Sequence, residues 1–278
     1  MRRVLSLVAF GSSLVWGTSD FFAGLFARRR PAVAVVGWTQ GLALVVLTVL
    51  VLVVHGLDVP GGGWYPWAVG AGIAGTTGLV SFYTALSTGT MGVVAPIAGL
   101  GVVVPVALGV LGGERPAASA WVGMAVAVVG VTLASGPEIR AGLSVRPVAL
   151  AVVAAFGFGF ALYFLDRGAR VSTLLTLWGM RTTSVVVLLA VALLARSLGG
   201  VTARETPALL LIGCGDLGAN ALFAVASSRG QVSVASVLAS LYPVVTAVLA
   251  RLVLDERLAR VQQAGVVLAV GGAVLIAV

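Results

Sequence analysis

Lysine is absent from this 278-residue sequence: all 17 basic side chains are arginine. Schiff-base chemistry on a lysine is therefore closed to it. There is one cysteine, Cys214, so an intrachain disulfide and a cysteine metal cluster are both excluded. There is one histidine, His55, at the end of an apolar run. Zinc-hydrolase signatures such as H-E-x-x-H need two. No Walker-type phosphate loop occurs, which argues against ATP hydrolysis. Nothing in the chain calls for a metal or a cofactor. Charge itself is scarce, at 9% of residues against about 25% in an ordinary soluble domain. So few charged groups cannot cover a water-facing surface.

What fills the chain instead is apolar. Hydrophobic residues make up 60% of it, and mean hydropathy is +1.13. The sequence reads as an all-α integral membrane protein. A net charge of +8 would suggest nucleic acid in a soluble protein. Here the arginines lie mostly between apolar runs, where they meet lipid headgroups, so no nucleic-acid partner is expected. A membrane helix needs roughly 20 apolar residues. Ten runs of that length follow one another: 5–27, 33–54, 64–86, 90–111, 116–135, 147–167, 172–195, 207–227, 231–253 and 258–278. The breaks, such as "RRRP", "GGERP", "DRGARVS" and "DERLAR", carry glycine, proline or charge. The first run is too long for a signal-peptide core and contains an aspartate, so it reads as a first membrane helix.

The runs repeat. Gly113-Glu114-Arg115 matches Asp255-Glu256-Arg257 at a spacing of 142, and Trp16-Gly17 matches Phe158-Gly159 at the same spacing. "GIAGTTGLVSFYTALSTG" from Gly72 aligns with "GCGDLGANALFAVASSRG" from Gly213 at 141. Two repeats, 1–136 and 146–278, follow, with five spans each. An odd number of crossings inserts the second copy upside down, and such inverted halves suit alternating access.

With the Trp-Gly of the first span, "MGVVAPIAGL", "GGERP" and "GQVSVASVLASLYPVVTAVLARLVLDER", the chain resembles the EamA type of the drug/metabolite transporter superfamily. The resemblance implies ten helices in two inverted halves and movement of small metabolites or drugs, often as export. It also implies both termini in the cytoplasm. Arg28, Arg29 and Arg30 then fall outside, and the loop arginines as a whole weigh toward that side, against the positive-inside rule.

Candidate functional residues are those that a bilayer penalises. Asp20 shares a helical face with Trp16, and an acid at mid-span costs about 2.5–3.5 kcal/mol on insertion scales, so it should face protein or water. It is a candidate for binding a substrate or a proton. Asp216, with Asn220 one turn on, is a second such candidate; its repeat counterpart is Gly75, so the acids break the symmetry. Arg181 lies mid-span and has three expected roles: neutralising an aspartate, binding an anion, or snorkelling. Pairing with an acid would argue against proton carriage by that acid. Polar stripes run along Thr77, Ser81, Thr84 and Thr88, and along Ser233, Ser236, Ser240 and Pro243, and suit either a cavity lining or close packing by small residues. Tyr83, Tyr163, Tyr242, Trp38 and Trp178 suit interfacial belts. Of these, Tyr83 and Tyr163 are also candidates for reaching a cavity. Pro96, Pro105 and Pro243 fall in the fourth and ninth spans, which are repeat mates, and interrupted mates point to a midplane site. Glu114 and Arg115 read as loop anchors. The small faces at Gly123, Ala127 and Gly130, and at Gly265, Ala269 and Gly272, suit packing within the chain or against a second copy.

The leading expectation is a secondary transporter, an exporter of small metabolites in the cytoplasmic membrane, with a proton as the coupling ion. A lipid flippase or a channel-like facilitator on the same fold is the alternative. An intramembrane aspartyl enzyme using Asp20 and Asp216 ranks below both.

Overall fold

The computed structural model of the chain describes residues 2–56, 61–88, 97–134, 145–253 and 260–277. All regular structure among them is helical. That is the physical consequence of long apolar runs, because hydrocarbon offers no partner for a backbone N–H or C=O. In chain order the helices are α1 (Arg2–Ala27), α2 (Ala32–His55), α3 (Tyr65–Thr88), α4 (Val103–Leu111), α5 (Ala118–Ala134), α6 (Val145–Ala195), α7 (Thr206–Ser228), α8 (Val232–Ala239), α9 (Tyr242–Val253) and α10 (Arg260–Ala277). Four of them, α1, α2, α6 and α7, are long and apolar enough to cross a membrane. Their outward faces are apolar too, as Val45, Val49 and Val53 on α2 illustrate.

Three interruptions mark the runs in the sequence. The break "DRGARVS" narrows to one residue, Ser172, where two helices within α6 meet at a kink. Asp166 and Arg170 pair at i,i+4 spacing, 3.0 Å apart, and keep the helix going. Only Ser172 leaves helical geometry, at φ −156° and ψ 110°. Its hydroxyl accepts the backbone N–H of Leu175 and so caps the second half of α6. The ninth run is broken into α8 and α9 around Ser240 and Leu241. Pro243, the second residue of α9, cannot supply the N–H that would bind Ala239 across this break. In the fourth run a 3₁₀ turn, Leu100–Val102, precedes α4. Pro105, three residues on, leaves the Gly101 carbonyl without a helical donor. Pro96 lies outside the described residues.

Glycines set how closely the helices approach. A Cβ on Gly17 would meet Val245 and the Tyr242 carbonyl at 2.5–2.6 Å, and Thr246 donates to the Gly17 carbonyl at 3.0 Å. Gly159 abuts the Gly101 carbonyl and Val104 in the same manner. Gly72 abuts Met180 and Thr183, while Gly213 abuts the Thr39 carbonyl. Gly130 lies on the backbone of Ala269, and Gly272 on that of Ala127, which clamps α5 to α10.

Two contacts tie opposite ends of the bundle. Glu114, in the turn after α4, accepts the backbone N–H groups of Val232 and Ser233 at 2.7 and 3.1 Å, and also the Ser233 hydroxyl. It caps α8, whose own N-cap residue, Gln231, makes no side-chain cap bond. Leu5 packs near Gly230 here, which marks this as the end where α1 begins. Past the other end of α1, Arg30 forms a two-pronged pair with Glu205, both N···O distances being 3.1 Å. Glu205 also accepts the N–H and hydroxyl of Thr202. The Thr202 backbone bond, then the Arg30 bond, lower its carboxyl from an ordinary 4.5 to about 2.

Candidate functional site

A central cavity lies where α1, α2, α3, α6, α7 and the broken α8–α9 segment converge. It leaves the centre of a water-sized sphere about 100 Å³. One water needs about 10–15 Å³ by that measure, so there is room for several waters or a small organic molecule. Ala98, Gly101 and Val102, beside the 3₁₀ turn, line it, as do Ala239, Ser240 and Tyr242, beside the α8–α9 break. Both interruptions thus sit on the cavity wall.

The structure brings most of the sequence-derived candidates together here. Trp16, Asp20, Arg181, Asp216, Asn220 and Ser240 all line the cavity. The two aspartates are not alike. Asp216 accepts four donors: Trp16 Nε1 at 2.9 Å, Asn220 Nδ2 at 3.2 Å, Arg181 at 2.5 Å and Gln40 Nε2 at 3.3 Å. The other nitrogen fork of Arg181 donates to Gln40 Oε1. Every lone-pair direction of the Asp216 carboxylate is thus engaged. Arg181 is 1% exposed, so it does not snorkel; it neutralises Asp216.

Asp20 accepts one bond, from the Tyr83 hydroxyl at 2.9 Å. Among the described residues no arginine pairs with it. Tyr83 is buried behind it rather than lying at an interface. Two buried polar atoms on lining residues have no partner among the described residues: the Tyr242 hydroxyl and Arg181 Nε.

Other candidates fall elsewhere. Tyr163 does not reach the central cavity. It lies near the capped end of α8, with the Arg167 guanidinium 5.5 Å from its ring centre, in a separate pocket that also holds Glu114 and Asp166. The reason is its position on α6. It follows Leu162, where the cavity wall on this half of the helix ends, and one helical step of about 100° turns its ring away. Thr77 is exposed and does not line the cavity, whereas Ser81 is buried. Tyr242 is no belt residue, because the α8–α9 break turns it inward. Trp178 donates to Thr48 and Trp38 to the Leu198 carbonyl, away from the cavity. Among the described residues there is no cluster of three His, Cys, Asp or Glu.

Among the polar lining residues, Gln40 and Ser184 escape the sequence reading, and Tyr242 enters it only as a belt residue. Gln40 is the one amide within the second apolar run, a polar group that hydrocarbon would penalise, and that signal could have found it. Tyr242 carried none beyond its place beside Pro243.

Comparison with known proteins agrees with this architecture. A solved crystal structure of another protein matches at a TM-score of 0.81 and 20% identity, over 99% of this chain and 98% of that one. It shows a shared fold. No curated protein matches the sequence. Residues 4–136 and 145–278 each match the EamA-like transporter family. The chain is a multi-pass membrane protein and belongs to the EamA-like transporter family of the drug/metabolite transporter superfamily.

Proposed function

We propose that this chain is a secondary transporter that exports a small metabolite or drug across the cytoplasmic membrane by alternating access. Its two halves, 1–136 and 146–278, form five spans each and lie inverted, and both termini face the cytoplasm. The two halves of α6 count as separate spans in this reading, and α8 with α9 as one.

Repeat mates meeting at the centre support a two-fold relation between the halves, and an odd number of spans in each would make that relation an inversion. Gln40 and Arg181 are 141 residues apart and bond to each other, as equivalent positions do only on a symmetry axis. Gly17 against α9 mirrors Gly159 against residues 101–104, and Gly72 against Met180 mirrors Gly213 against Thr39. The α5–α10 clamp is its own mirror image. Halves related in this way can rock about the cavity between them.

Asp20 is the proton site in this reading, and the observation that carries it is the contrast with Asp216. Asp216 is saturated by donors and balanced by Arg181. Asp20 has one neutral donor, lines the cavity, and has Tyr83, Tyr242 and Asp216 as its titratable neighbours. A carboxylate so placed can lose its proton to one side and regain it from the other.

The test is accessibility. In a Cys214→Ser background, Leu162→Cys places a thiol on the cavity wall. A membrane-impermeant maleimide should label it from either face of sealed vesicles, and a ligand that stabilises one state should bias it to one face. Labelling confined to one face under all conditions would count against alternation. Asp20→Asn should leave labelling intact and abolish movement driven by a pH gradient.

A further inference from the structure

The repeat makes the chemistry of the cavity readable by comparing equivalent positions. Asp20 on α1 corresponds to Leu162 on α6, and Trp16 to Phe158, each pair 142 apart. Asp216 and Asn220 on α7 correspond to Gly75 and Leu79 on α3, each pair 141 apart. All eight line the cavity. α1 packs on α7, and the first half of α6 packs on α3, where Gly157 touches Gly78. The cavity therefore has two matching walls of opposite character. The α1–α7 wall carries the carboxylates, the amide and the indole N–H. The α3–α6 wall carries Leu79, Phe158 and Leu162 and presents hydrocarbon.

Charge is unequal too. Among the described residues the charged lining residues are Asp20, Arg181 and Asp216. Arg181 and Asp216 cancel at 2.5 Å, and Gln40 occupies the rest of the accessible guanidinium fork. An anionic substrate would have to break that buried pair, which is costly. Asp20 is left as one uncompensated acid on the polar wall, held by the Tyr83 hydroxyl of α3 and sharing the cavity with Leu79, Phe158 and Leu162.

We propose that the cavity binds an amphiphilic organic monocation, its ammonium group on Asp20 and its apolar body against Leu79, Phe158 and Leu162. This assignment rests on the transporter reading and gives it a substrate class. One positive charge neutralises Asp20, and the unpartnered Tyr242 hydroxyl supplies a further acceptor for an ammonium N–H. A body of about one ring matches the small cavity and gains by leaving water for the apolar wall.

The experiment is binding to the purified full-length chain, by calorimetry and thermal shift, with five probes: 2-phenylethylammonium, ethylammonium, 2-phenylethanol, 3-phenylpropionate and phenylalanine. The first should bind and raise the melting temperature. The other four should bind at least about tenfold more weakly, since each lacks the charge, lacks the body or brings a carboxylate. Asp20→Asn should weaken the first by at least about tenfold, while Asp20→Glu holds it within a few-fold. Equal or tighter binding of 3-phenylpropionate or phenylalanine overturns the proposal, as does no binding of 2-phenylethylammonium. The probe ranking uses the wild-type chain, so it decides even if Asp20→Asn fails to fold. Binding as expected with one-sided labelling of Leu162→Cys would remove the transport reading and leave the ligand class standing. Carboxylate preference with two-sided labelling would do the reverse.

Discussion

At the scale of single residues, the centre of this protein separates an acid used for structure from an acid left free. Arg181 and Asp216 form the structural pair, and its burial makes it sensitive to half-removal. Arg181→Leu or Asp216→Leu alone strands a charge, which costs about 3–5 kcal/mol for a buried pair. Arg181→Leu combined with Asp216→Leu strands none, so the double variant should melt above both single variants in detergent. A double variant less stable than either single would mean the pair contributes through its wider network rather than by mutual neutralisation. Asp20→Asn should barely move the melt, because asparagine still offers an oxygen to Tyr83. Much of this was legible in the sequence, since Asp20, Arg181 and Asp216 stand out as charges inside apolar runs. Which acid Arg181 would choose was not. That depends on Gln40 and Asp216 arriving from α2 and α7, far apart in sequence, and no local spacing encodes it. Tyr242 was hidden for a similar reason, because only the break before it turns its hydroxyl inward.

At the scale of elements, apolar run length was a guide to helices, and proline and serine mark where they are interrupted. The sequence between 166 and 172 has glycine, charge and a serine, all loop signals. The first helix of α6 runs through most of this stretch because Asp166 and Arg170 satisfy each other on one face, and the extended backbone of Ser172 then separates it from the second. The ninth run has no internal charge before Ser240, and Pro243 is the sequence signal for its break there. The short α8 that results depends on a distant cap. Glu114→Ala removes the carboxylate from three donors at its N-terminus. The expected loss is about 1–2 kcal/mol, read as a lower melting temperature and faster amide exchange at 232–235. Glu114→Gln should fall between, since it keeps an acceptor and loses the charge. Unchanged exchange in Glu114→Ala would show that packing alone holds α8. Glu205 gives the other end a dependence on pH. Its carboxyl titrates at about 2 in the folded chain against an ordinary 4.5. A lowered acid contributes stability above its unfolded value and loses it as pH falls through the folded one. The melting gap between wild type and Glu205→Gln should therefore hold steady from neutral pH down to about 4.5 and close between there and about 2. A gap that instead closes above pH 5 would point to another group.

At the scale of the whole molecule, the two end contacts are the geometric problem that the proposed alternating access would have to solve. Glu114 joins the first half to α8 in the second at one end, and Arg30 joins the first half to Glu205 in the second at the other. Under the proposed mechanism, rocking of inverted halves would open one end as it closes the other, so an open state would give up one contact and keep its counterpart. In the described structure both are made, which fits a closed intermediate between the two open states. Holding either end shut should then silence access from that side only. With Cys214→Ser and Leu162→Cys as the reporter, a bismaleimide linking Glu114→Cys to Ser233→Cys should block labelling from the α1 N-terminal side. It should preserve or raise labelling from the opposite side. Linking Arg30→Cys to Glu205→Cys should give the mirror result. Sealed vesicles of both orientations read this directly, and the impermeant reagent distinguishes the faces. If linking either end blocks labelling from both sides, the cavity opens through a single mouth and the halves do not alternate. If neither link changes labelling, the path to Leu162 runs between helices from the lipid, and the flippase reading replaces the exporter.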